Sequence, residues 1–188
     1  RALESGKPAF ASFSSPDTAS AQSFATSKYD AVVFEMEHNP WNAETLRDCL
    51  QYMLNRGQIA SSGSVAPAVA PLVRVPPNGG EIAQWQAKQA LDMGVYGIIW
   101  PHVATMEEAY NAIGACRYPR LTDATLYEPA GIRGDGPGTA MRYWGLGQQE
   151  YYKKADVWPL NPDGEIFAIL MIEDTKGINN LDDILKNV

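Results

Sequence analysis

The sequence predicts an α/β protein, a (β/α)8 TIM barrel that is incomplete, with about five βα units and the C-terminal strands missing. Three observations predict it. Short apolar runs alternate with amphipathic stretches from end to end, which is the pattern of repeated βα units on a parallel sheet. The runs are apolar at successive positions, as strands covered on both faces must be. No glycine-rich phosphate loop follows the first run, which disfavours an open dinucleotide-binding sheet. A complete barrel takes eight strands and about 250 residues. The 188 residues are therefore expected to be one domain, 1–188, truncated at its C-terminus.

The elements follow in order. Residues 9–13 form a short apolar strand, and Ser14-Ser15-Pro16-Asp17 then announces a helix to about Lys28 that buries Ala21, Phe24 and Ala25. Residues 31–34, Ala-Val-Val-Phe, are a buried strand ended by Asn39-Pro40. Asn42 caps a helix whose Leu46, Cys49, Leu50, Met53 and Leu54 repeat at helical spacing. Residues 58–71, rich in Ser, Gly, Pro and Ala, read as an exposed mobile loop before the Leu72-Val73 strand and Arg74. Pro76-Pro77-Asn78-Gly79-Gly80 turns into a helix carrying Ala83, Ala87, Ala90 and Leu91, stopped by Gly94. Residues 95–100 are a buried strand ending in Pro101-His102. Thr105 and Glu108 have capping-box spacing ahead of the stripe Ala109, Ala112, Ile113 and Cys116.

Alternation lapses over 118–164, which reads as a long insertion holding Tyr127, Tyr143, Trp144, Tyr151, Tyr152 and Trp158, with a short helix near 150–156. A loop of that length is a lid or a contact between subunits. Residues 165–172 form the strongest strand and deliver Glu173 and Asp174; Asn180 caps a last helix with Leu181, Ile184, Leu185 and Val188.

Bulk composition excludes several classes. The chain is 45% hydrophobic and 20% charged, ordinary for one globular core. Fifteen basic residues against 22 acidic ones give a net charge of −7, and no Lys/Arg stripe offers itself to nucleic acid. No run reaches the 18 or so apolar residues of a membrane span. Cys49 and Cys116 each fall on the apolar face of a helix, so two separate buried thiols are expected. Localisation is cytoplasmic by default, with an export signal upstream of Arg1 left open.

The residues that follow each strand carry the chemistry. The second strand delivers Glu35, Glu37 and His38, the third Arg74, the fourth His102, the fifth Glu173 and Asp174. Parallel barrel strands end at one face, where barrel active sites lie, and both histidines of the chain are in this set. Carboxylates without thiolates suit Mg2+ or Mn2+. A histidine beside a carboxylate moves protons near neutral pH, and an arginine steadies a developing enolate oxygen. Together they describe proton abstraction next to a carbonyl or carbon–carbon cleavage through an enolate. Arg74 could equally be an ion-pair partner for Glu35 or Glu37. Glu37 and Asp174 read as bystanders, surface or helix-start charges.

Six segments in order then resemble a known family: 29–41 around Glu37-His38-Asn39-Pro40, Leu72-Val73-Arg74-Val75, Ala90-Leu91-Asp92-Met93-Gly94 leading to Ile99-Trp100-Pro101, Cys116-Arg117-Tyr118-Pro119, Gly131-Ile132-Arg133-Gly134, and Met171-Ile172-Glu173-Asp174-Thr175. They are similar to the metal-dependent (class II) pyruvate aldolases of the 4-hydroxy-2-oxoheptanedioate aldolase and citrate lyase family, which includes macrophomate synthase. The resemblance implies a carbon–carbon lyase acting on a 2-oxo acid and an aldehyde, with Mg2+ or Mn2+ as cofactor. Glu173 is then the first metal carboxylate, His38 the catalytic histidine with Glu35 as its acidic partner, and Arg74 the holder of the keto or enolate oxygen. His102 joins the substrate-binding set. Glu35 stands where the family usually has Asp, and Met171 where it commonly has Gln. A second metal carboxylate is expected beyond Val188, and a homo-oligomer, a hexamer, is expected by the same resemblance. The rival readings are a citrate-lyase-like or oxaloacetate-decarboxylating enzyme on the same framework, and a non-catalytic barrel used for assembly.

Overall fold

The computed structural model describes residues 2–76 and 84–188. After a short 3-10 turn at Leu3–Ser5, the elements are β1 (Ala11–Ser14), α1 (Thr18–Phe24), β2 (Ala31–Glu35), α2 (Ala43–Tyr52), α3 (Arg56–Ser62), β3 (Ala70–Arg74) and α4 (Gln84–Met93). They continue with β4 (Gly97–Trp100), α5 (Met106–Ala115), α6 (Gly138–Trp144), α7 (Gln148–Lys154), β5 (Val157–Trp158), β6 (Ile166–Leu170), α8 (Thr175–Asn179) and α9 (Leu181–Asn187). Among the described residues six strands form one sheet in the order β1-β2-β3-β4-β6-β5, and every pairing is parallel. The sheet is not closed, so β1 and β5 are its edges.

Burial follows position in the sheet. Central β4 is buried at every residue, whereas edge strand β1 is half exposed. In β2, Val32, Val33 and Phe34 are buried, and α2 lays Leu46, Cys49 and Leu50 into the same core. Caps fix where helices start. Asp17, Asn42 and Asn55 accept the backbone N–H of the third residue of α1, α2 and α3, and Thr105 with Glu108 forms a complete capping box on α5. Both cysteines are free and buried.

Three expectations need correcting. Residues 58–71 are not all loop: Asn55 caps α3 and Gly63, at φ +67°, ends it, so two short-range signals bracket a helix that composition disguised. Within 118–164 the chain forms α6, α7 and β5, and three of its aromatics serve the core. Tyr143, Trp144 and Tyr151 are buried, with Trp144 stacked on Tyr96 at 4.3 Å between centroids. Asn180 begins α9 without capping it, because its side chain donates to the Ala104 carbonyl at 2.8 Å. The turn at Pro77–Gly80 and Ala83, assigned from sequence, lie outside the described residues.

Two of the six family-like segments prove architectural. Arg117 is buried and donates through Nε to Asp156 at 2.7 Å and through Nη1 to the Pro129 carbonyl at 2.7 Å. Arg133, also buried, pairs with Asp92 at 3.2 Å and donates to the Tyr151 hydroxyl at 2.9 Å, its guanidinium over the Tyr118 ring. Gly131 lets these strands of chain touch: a Cβ there would lie 2.2 Å from the Tyr118 carbonyl oxygen.

Candidate functional site

The β2–β3 register sets Glu35 opposite Arg74. The ladder continues one rung further, with the Met36 N–H donating to the Arg74 carbonyl at 3.1 Å. Glu35 Oε2 accepts from Arg74 Nε at 2.7 Å and from Arg74 Nη2. Its Oε1 accepts the backbone N–H groups of Glu37 at 2.8 Å and His38 at 3.2 Å. Burial alone would push the Glu35 carboxyl up. Hydrogen bonds from Arg74 and the two N–H groups, with the Arg74 charge, outweigh it and hold the group below its ordinary 4.5.

Glu37 is the residue that sequence reasoning passed over. Its side chain is only 9% exposed, and Oε2 lies 3.1 Å from Arg74 Nε and 3.6 Å from His38 Nε2. Oε1 lies 3.5 Å from His102 Nε2. A period of two carries positions 35 and 37 to the same side of an extended chain, and that was the signal available. The carboxylate beside the His38 ring is Glu37, not the expected Glu35, whose oxygens are engaged by Arg74 and the backbone. The His38 side chain itself is 72% exposed.

Strands β4 and β6 bring the second half. Met171 N–H donates to Trp100 O at 2.9 Å and Val103 N–H to Met171 O at 3.0 Å, so the two chains run together past their strands. His102 donates its backbone N–H to Glu173 Oε2 at 3.0 Å, and its ring Nδ1 lies 3.6 Å from the same oxygen. Asp174 caps α8 by accepting from Gly177 N–H at 2.7 Å, the helix-start role expected of it. Glu35, Arg74, Glu37, His38, His102 and Glu173 thus form one linked cluster at the C-terminal strand ends. Phe13, on β1, lies beneath the Arg74 guanidinium, 4.9 Å from ring centroid to carbon.

The donor set has the chemistry of a hard divalent cation. It offers carboxylate oxygens without thiolate: Glu35 and Glu37 pair with the Arg74 guanidinium, and Glu173 stands against His102. Among the described residues no group of three His, Cys, Asp or Glu is placed to hold a metal ion by itself. Mg2+ and Mn2+ do not require one, since they are commonly held by one or two carboxylates with waters and substrate oxygens. Glu173 suits that role: no described residue donates to its Oε1, and its side chain is one-third exposed.

The chain is similar to several known proteins. The chain is 28% identical over 186 residues to the hydroxypyruvate/pyruvate aldolase of Roseobacter denitrificans, covering 98% of this chain and 60% of that protein. It is 31% identical over 156 residues to the 5-keto-4-deoxy-D-glucarate aldolase of Escherichia fergusonii, covering 83% of this chain and 48% of that protein. The chain therefore spans about half to three-fifths of the curated relatives it matches. Among solved structures, the citrate synthase SbnG superposes with a TM-score of 0.66 at 28% identity, over 97% of this chain and 58% of that one. A family protein from Burkholderia cenocepacia J2315 superposes with a TM-score of 0.70 at 22% identity, covering 96% and 60%, a likeness of fold. Macrophomate synthase also shares the fold, with a TM-score of 0.62 at 24% identity, covering 94% and 51%. The family model for HpcH/HpaI aldolase/citrate lyase matches residues 10–188, taking in every strand and every member of the cluster, and the chain belongs to that family.

Proposed function

We propose that the protein is a divalent-metal-dependent lyase that makes or breaks a carbon–carbon bond through the enolate of a pyruvate-type 2-oxo acid, with an aldehyde as the second partner. The observation that carries the reading is the continuous cluster from Glu35 through Arg74, Glu37 and His102 to Glu173 at one rim of the sheet.

Each side chain has a part. Arg74, gripped by Glu35 and Glu37, holds its guanidinium at the rim, where its remaining N–H groups meet the keto or enolate oxygen. His38 is exposed and its ring lies 3.6 Å from the Glu37 carboxylate, so it is placed to exchange a proton with the hydroxyl of the aldol partner. Glu173 would hold Mg2+ or Mn2+, which when bound supplies Lewis-acid polarisation of the 2-oxo acid. His102 stands between Glu37 and Glu173 and faces the same substrate. The resemblance to citrate synthase SbnG motivates the second reading, a related condensation or decarboxylation on the same enolate framework.

Pyruvate release from 4-hydroxy-2-oxo acids tests the reading, measured on the complete protein with Mg2+ or Mn2+ and again after chelation. Metal-dependent release is expected. No release, with oxaloacetate decarboxylation retained, selects the second reading. Neither activity, and no Mn2+ binding, leaves the barrel as an assembly module.

A further inference from the structure

We propose that residue 102 is a positioning residue that works through its backbone: the left-handed turn at His102 aims its N–H at one oxygen of Glu173 and so sets how that carboxylate presents its other oxygen. The proposal rests on the lyase reading above and goes beyond it by separating the peptide of His102 from its imidazole.

His102 has φ +56°, and among the described residues it is the one non-glycine at positive φ. A side-chain-bearing residue there is sterically disfavoured and persists only where the surroundings impose it. The surroundings are on both sides. Trp100 O accepts from Met171 N–H just before the turn, and Val103 N–H donates to Met171 O just after it. Between those anchors the free element is the peptide plane joining Pro101 to His102. Proline followed by a residue at positive φ is the dihedral order of a type II turn. Rotating that plane to the type I arrangement would make φ of residue 102 negative. It would also swing the N–H away and turn the Pro101 carbonyl oxygen toward the carboxylate. The unusual φ and the N–H···Glu173 bond of 3.0 Å are thus one structural fact.

The imidazole is a poorer candidate for holding Glu173. Its Nδ1 lies 3.6 Å from Glu173 Oε2 and its Nε2 lies 3.5 Å from Glu37 Oε1, both longer than an N–H···O hydrogen bond, and the side chain is half exposed. The backbone N–H is shorter and fixed by the sheet.

The test is binding of Mn2+ alone to the complete protein, read from the paramagnetic resonance signal of the free ion, for wild type and for His102→Gly, His102→Ala and His102→Val. Glycine takes positive φ without steric cost, alanine bears the left-handed penalty, and valine tolerates it least. The glycine variant is expected to bind within about twofold of wild type and the valine variant roughly tenfold more weakly, with alanine between, as a left-handed penalty of this size dictates. Should valine prevent folding, the glycine–alanine comparison decides alone. A glycine variant that loses as much affinity as alanine overturns the proposal and assigns the role to the ring. A wild-type protein that binds no Mn2+ would instead remove the metal-dependent reading beneath it.

Discussion

Glu35 and Arg74 stand opposite each other on adjacent parallel strands, and Glu35 Oε2 receives Arg74 Nε at 2.7 Å. The pair is about one-sixth exposed on each side, buried enough to hold its geometry and open enough to reach a ligand. Because the carboxyl lies below its ordinary 4.5 in the folded protein, it contributes stability that is fully present above that value and lost as pH falls through the lowered one. Glu35→Gln is therefore expected to be less stable than wild type at neutral pH, with the gap closing below about pH 4. Denaturant midpoints between pH 7 and pH 3 check this, and a gap constant with pH would mean that the charge is not what matters.

A second pair tests the architecture apart from the chemistry. Asp156 is buried and accepts from Arg117, Arg120 and Asn161. Asp156→Ala strands the buried Arg117 guanidinium and should cost about 3–5 kcal/mol in chemical unfolding. A loss under about 1 kcal/mol would show that water readily replaces the carboxylate.

The assigned roles separate by two measurements. His38→Ala should lower kcat by about 10²–10⁴ while leaving Mn2+ affinity nearly unchanged. Glu173→Ala should abolish Mn2+ binding outright. Equal loss of both properties in both variants would contradict the division of labour.

The thiols give a check that needs no substrate. Burial pushes Cys49 up to about 11 and Cys116 up to about 12, and the thiolate is the reactive form. Neither should react with an aromatic disulfide reagent at pH 8 in the native protein, and both should react once it unfolds. Rapid native labelling would place a thiol at the surface.

Legibility in the sequence followed the range of the forces involved. The alternation of strand and helix was readable because burial imposes its period on residues such as Val32–Phe34 and Leu46–Leu50. The helix over Gly138–Trp144 was not, because long-range packing of Trp144 on Tyr96 decides it while the local Gly/Pro signals argue against it. At the candidate site, residue type at the strand ends picked out Glu35, His38, Arg74, His102 and Glu173, which the structure gathers into one cluster. Glu37 was missed because it was weighed as a surface charge when its alternation with Glu35 should have decided. What His102 does with its peptide depends on a dihedral angle, and no residue letter carries that.

The bond from Met36 N–H, one residue past β2, to the carbonyl of Arg74, the last residue of β3, has a consequence for how the cluster would meet a ligand. It ties the start of the bend bearing Glu37 and His38 to the sheet, and the Glu35 carboxylate then receives the N–H groups of both residues. Crowding of like charges is then settled during folding, and an arriving anion finds the arginine already aimed. Recognition on such a surface depends on the outline of the ligand's oxygens, and little of the binding energy is diverted into rearranging the host.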